Sequence, residues 1–189
     1  MSDRRKSILE AAAQCIARNG VRGLRVHDVA QQAGVSTSLL YYHFKDRDGL
    51  LAATLDHING TSSGYRVEGA GEATAFGRLR AHLLGEIQDR DEVRANSIAW
   101  NELRASAVFE PEIAGPLART TGVWETEIAA LVEAAQHEDQ VRAGLDPKAT
   151  AVLLTALVEG LSGRWLTGEL TTEEARARLS DAIDSLVQT

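Results

Sequence analysis

The side chains with most to offer chemically are Thr37, Ser38, Tyr41 and Tyr42. On a helix they stand at i, i+1, i+4 and i+5, on one face turned away from Leu40 and Phe44. That face is rich in hydroxyls and rings and contains no acid. Hydroxyls and phenols can contact base edges, thymine methyls and phosphates without like-charge repulsion. His43, Lys45 and Arg47 follow, adding cationic or hydrogen-bonding reach toward a nucleic-acid backbone. The competing reading makes Tyr41 and Tyr42 ordinary packing aromatics. Two consecutive tyrosines on a short helix cannot both enter one core, however, so at least one is expected at the surface.

The elements that must position this face are short helices. Val26, Val29, Ala30 and Ala33 recur at i, i+3, i+4 and i+7, which predicts a helix over about 26–33. Gly34 ends it with a left-handed residue, Val35 plugs the corner, and Ser36 caps a third helix over 37–44. Two short helices joined by a tight Gly-containing turn match a helix-turn-helix, with Ala30 small enough for the crossing. Ahead of them, Ile8, Leu9, Ala12, Cys15 and Ile16 stripe a helix running from about Ser2 or Asp3 to Asn19-Gly20. Cys15 lies on that stripe and reads as a small buried hydrophobe. Asp46 caps a longer helix that carries Leu50, Leu51 and Leu55 to about Ile58 or beyond, with Gly60, Ser62, Ser63 and Gly64 weakening its end. Val67–Glu72 reads as a loop, and helical patterns follow at about 73–90, 92–108, 112–138, 147–166 and 172–187. The fold class expected is all-α, with about nine helices.

Composition narrows the functional classes. The 189 residues are 44% hydrophobic and 25% charged, an ordinary globular balance. A single cysteine excludes an internal disulfide framework and any multi-cysteine zinc site. No apolar run reaches the roughly 18 residues of a membrane span, and residues 1–20 lack a secretory pattern, so a cytoplasmic protein is expected. Net charge is −7, yet residues 1–50 carry +3 and residues 51–189 carry −10. A basic head on an acidic body suits a chain of which one end meets phosphate. P-loop, HExxH, GxSxG and dinucleotide fingerprints are missing, and the five histidines are scattered, so no enzyme, metal or cofactor is expected.

Residues 4–51 resemble the N-terminal domain of TetR-family transcriptional regulators. The resemblance is carried by Val29-Ala30, Ala33-Gly34-Val35-Ser36, Leu40-Tyr41-Tyr42-His43-Phe44 and Leu50-Leu51. It implies a homodimer whose third helices enter successive major grooves of a palindromic double-stranded DNA operator. By position it places Thr37, Ser38 and Tyr42 toward bases, and Tyr41, His43, Arg47, Arg25 and His27 toward phosphates. Arg25 stands where threonine often caps the second helix in the family, so that cap must come from elsewhere. Ser38 replaces a frequent glycine and Arg47 a frequent lysine, while Leu39 is apolar where a polar base contact is common. The division this implies is a DNA-binding domain at 1–48 and an effector-binding and dimerisation domain at 49–189.

In the family, the body binds a small molecule and its last two helices pair with those of a second copy. The apolar surface of 147–166 and 172–187 exceeds what one thin bundle can hide, which agrees. Gly160 and Gly163 either allow close helix approach or merely weaken a helix end. Trp100, Asn101, Arg104, Phe109 and Trp124 on the middle helices, with the His82/Glu86 pair, are the candidates for a pocket of apolar walls and few polar groups. The effector itself is not legible. The alternative function is a helical adaptor or small-molecule carrier without sequence-specific DNA binding.

Overall fold

Helical spacing in the sequence becomes helix along most of the chain. The computed structural model describes residues 3–66 and 72–187. Among them stand nine helices and no strand: α1 (Asp3–Asn19), α2 (Val26–Gln32), α3 (Thr37–Phe44), α4 (Arg47–Arg66), α5 (Ala75–Leu84), α6 (Asp91–Ser106), α7 (Pro111–His137), α8 (Pro147–Leu166) and α9 (Thr172–Val187). These residues pack as two units, one of residues up to 61 with 95–120, the other of 62–94 with the residues from 121 on. Helices α4, α6 and α7 contribute to both.

In the first unit the α1 stripe is buried as its spacing requires, Cys15 included. Gly20 ends α1 with φ +71°, a backbone region costly for other residues. Helix α2 closes in a Schellman motif around Gly34, at φ +65°. There the Gly34 N–H donates to Gln31 O at 3.1 Å and the Val35 N–H to Ala30 O at 2.9 Å. The N-cap position of α2 is Arg25, whose side chain makes no cap bond. Val29 and Ala30 of α2 pack with Leu40 and Phe44 of α3, Leu50, Leu51 and Leu55 of α4, and Leu103 and Ile113 of α6 and α7. Helix α4 continues through Gly60 to Arg66, further than its composition suggests. Buried Leu55 and Ile58 hold it, and packing outweighs the roughly 1 kcal/mol that a mid-helix glycine costs. The loop expected over Val67–Glu72 lies outside the described residues except for Glu72.

In the second unit, α5 ends at Leu84 rather than near 90. Gly85 follows, and the carbonyls of Leu84 and Ile87 accept from Arg176 Nη1 of α9, at 2.9 Å for Ile87, instead of continuing a helix. Asp146 caps α8 by accepting from Lys148 N at 2.9 Å and Ala149 N at 3.1 Å, with Pro147 in the first turn. Thr171 and Glu174 cap α9 reciprocally: Glu174 Oε2 accepts from Thr171 N at 2.9 Å and Thr171 Oγ1 from Glu174 N at 3.2 Å. Leu79, Leu83, Trp124, Ile128, Leu154, Val158, Trp165, Leu179 and Ile183 form the core.

Candidate nucleic-acid interface

Eight residues are too few for a stable isolated helix, so α3 depends on its cap and its anchors. Ser36 Oγ accepts from Leu39 N at 3.1 Å. Leu40 and Phe44 are buried on the inner side, and the Arg5 guanidinium lies 5.1 Å from the centre of the Phe44 ring. With these fixed, the opposite face is forced outward. Tyr42 is 82% exposed and Tyr41 47%; Ser38 is exposed and Thr37 half-buried. The packing reading of the tyrosine pair therefore fails for both. His43 is half-buried, its ring edge-on to Tyr42 with centroids 5.4 Å apart.

Helix α3 leaves through a γ-turn. Lys45 has φ 64° and ψ −56°, and the Asp46 N–H donates across it to Phe44 O at 2.7 Å. A non-glycine residue in this region is rare and strained, and such residues concentrate at functional sites. Lys45 is exposed. Asp46 Oδ1 then accepts from Gly49 N at 2.8 Å, the cap of α4 that the sequence suggests. Between Asp28 and Asp46 the chain contains no acidic residue, so α3 and the turn before it carry no acid, while the γ-turn after it closes on exposed Asp46. Arg25 and His27, at the start of α2, are also exposed.

Arg47 is placed differently from its neighbours. Its Nη1 lies 3.1 Å from Glu110 Oε2 and 3.8 Å from Asp48 Oδ1, and its Nη2 donates to Val21 O at 2.8 Å. Glu102 and Glu110, which no spacing pattern singles out, meet Val21 and Arg47 across separations of 81 and 63 residues.

The candidates for a small-molecule pocket are spread between the two units. In the first, Trp100 packs partly buried on the core with the Arg104 guanidinium 5.7 Å over its ring. The Asn101 amide donates to Ser97 O at 2.8 Å, within its own helix. Phe109 is not on a helix but at the corner between α6 and α7, 72% exposed, where it meets Arg22. In the second, Trp124 is buried in the core and His82 is half-buried on α5. Glu86 lies beyond the end of α5, so the two do not share the single helix over 73–90 that the sequence suggests. A separate cleft of about 610 Å³ in this unit is lined by Arg80, Leu84, Gln88, Asp89, Thr172 and Arg176 and by none of the seven candidates. Its arginines are engaged internally, Arg80 by Asp184 and Ser180 and Arg176 by the end of α5. Among the described residues no helix is long and apolar enough to cross a membrane.

A short polar helix mounted on a Gly-hinged partner defines a helix-turn-helix protein of the DNA-binding class. Residues 8–54 match the family described as bacterial regulatory proteins, tetR family, and residues 76–188 match the BetI-type transcriptional repressor C-terminal family. The chain is 28% identical to the HTH-type transcriptional regulator BetI of Burkholderia mallei, over 97% of this chain and 93% of that protein. It is 58% identical to a TetR-family transcriptional regulator from Rhodococcus sp., over the whole of both chains, with a TM-score of 0.96. A transcriptional regulator from Saccharomonospora viridis, solved in complex with choline, is 26% identical over the whole of both chains with a TM-score of 0.83. This chain belongs to the TetR family of bacterial regulatory proteins. It is a DNA-binding transcriptional regulator.

Proposed function

We propose that the protein is a homodimeric repressor, not an enzyme, which binds a palindromic operator through α3 and is released by a small molecule held within residues 49–189. The observation that carries the reading is the outward tyrosine pair on a helix whose other side is locked by Leu40 and Phe44. Thr37, Ser38 and Tyr42 face bases in this reading, and Tyr41, His43, Lys45, Arg25 and His27 face phosphates. Val152 and Leu153 of α8 are exposed apolar residues, joined on the same helix by exposed Ala149, Ala156 and Gly160. A side chain added at Gly160 would meet open space. That strip supports pairing of α8 with a second copy, alongside α9. The match to the BetI-type family and the choline complex of a relative support a quaternary ammonium effector, a class that tryptophan faces recognise by cation–π attraction.

Selecting bound duplexes from a random DNA library with the full chain tests the reading. A two-fold related site with half-sites about one helical turn, or a multiple, apart is expected. Recovery of no preferred sequence would leave the adaptor or carrier alternative standing. Addition of choline to the selected complex then tests the effector class, with release as the expected result.

A further inference from the structure

Val21 is wholly buried in the turn between α1 and α2, outside any helix, where its peptide groups need partners. Two side chains from distant elements reach them. The Val21 N–H donates to Glu102 Oε2 of α6 at 3.3 Å. Its carbonyl, which accepts from Leu24 N at 3.1 Å, also accepts from Arg47 Nη2 at 2.8 Å. The other end of the same guanidinium is held by Glu110, which precedes α7, at 3.1 Å. Gly20 makes room for this arrangement, since a Cβ there would stand 2.8 Å from Glu102 Oε2. One residue further on, the Arg22 guanidinium lies over the Phe109 ring at 5.8 Å.

The two points gripped are the two ends of the helix-turn-helix. Val21 lies in the turn that leads from α1 into α2, and Arg47 opens α4 immediately after the γ-turn that ends α3. Arg47 and Glu110 are each about two-thirds buried, with 33% and 27% of their side chains exposed. Charge-assisted bonds in such a setting are stronger than those of a solvent-exposed pair. Reaching a phosphate would cost Arg47 both of these bonds, and its charge is already balanced by Glu110.

We infer that Arg47 is a positioning residue: with Glu110 and Glu102 it clamps both ends of the helix-turn-helix to the α6–α7 corner. The inference rests on α3 being the DNA-contacting helix.

Operator binding by the full-length chain, measured across a series of salt concentrations, separates the clamp from a phosphate contact. Under the clamp, Arg47→Gln and Glu110→Gln each weaken operator binding by about tenfold. The double variant is no weaker than the weaker single, and the slope of log K against log salt is unchanged. Arg47→Lys, which keeps the charge but cannot bridge both partners, behaves like Arg47→Gln. Under a phosphate contact, Arg47→Gln lowers the slope by about 0.9, Arg47→Lys stays close to wild type, and Glu110→Gln tightens binding by removing a negative charge. Either of the last two results overturns the clamp. Amide exchange in the DNA-free protein gives a second reading. Exchange at Leu24 should quicken by about tenfold in both Arg47→Lys and Glu110→Gln, and unchanged exchange also overturns the clamp. If the wild-type chain selects no duplex at all, the DNA-binding reading fails, and the exchange rates alone decide whether the clamp exists.

Discussion

Lys45 holds a backbone conformation that its own side chain disfavours. Two effects oppose each other when it is replaced. Relief of a strained residue gains roughly 1–3 kcal/mol, while the added freedom of glycine in the unfolded chain costs about 0.5–1 kcal/mol. Lys45→Gly should therefore unfold at the same or a slightly higher urea concentration than wild type. If Lys45 contacts a phosphate, as proposed, the same variant binds all duplexes more weakly and its salt slope falls by about 0.9. Loss of stability would show that the γ-turn is not strained. An unchanged slope would remove Lys45 from the phosphate set. The adjacent residues show what was legible at this scale. Helical geometry required at least one of Tyr41 and Tyr42 to lie outside, and both do, whereas the resemblance turned Arg47 toward phosphates and nothing local announces its contacts with Val21 and Glu110, 26 and 63 residues away in sequence.

Helices with a strong local signal at their start were the easiest to read. Helix α3 has Ser36 at its start, and α8 has Asp146 and Pro147; both run over the ranges their spacing predicts. Ser36→Ala should lower stability by about 1 kcal/mol, measured by urea unfolding, because the Leu39 N–H loses its acceptor. A change near zero would mean that the cap adds nothing to what Leu40 and Phe44 already fix. Helix α9 offers a test by pH. Hydrogen bonds from the Thr171 backbone and hydroxyl hold the Glu174 carboxyl below the ordinary glutamate range. A lowered folded-state pKa contributes stability that is complete above the ordinary glutamate value and disappears as pH falls through the folded value. Glu174→Gln should therefore flatten the acid side of the stability profile and leave the pH dependence near neutrality unchanged. A profile identical to wild type would deny the capping box any charge-dependent role. Helix α5 illustrates the opposite case. Its apolar pattern runs on past Leu84, but Arg176, 92 residues later, takes the Leu84 carbonyl, and no local signal announces that.

For the whole molecule, the asymmetry of charge and the burial pattern point the same way. The acidic, helix-rich body and the short acid-free α3 were both visible in the sequence, because each depends on composition and period. The identity of the residues around an effector was not. Of the seven side chains named for it, Phe109 is mostly exposed at a corner and Trp124 is deep in a core, and spacing alone does not distinguish such fates. In the proposed dimer, pairing with a second copy runs through the α8 strip. Leu153, 58% exposed, should be covered in the dimer, and Leu153→Glu would bury two charges close to the two-fold axis. Sedimentation of this variant should give a folded monomer with much weaker operator binding, and a persistent dimer would move the pairing surface elsewhere. The reading helix is tested most directly by comparing wild type and Tyr42→Ala on the selected operator, once both are verified as dimers. Base contact by Tyr42 requires a loss of about 1–3 kcal/mol in operator affinity with binding to random duplex almost unaffected; equal operator affinity of the two proteins would take Tyr42 out of the groove.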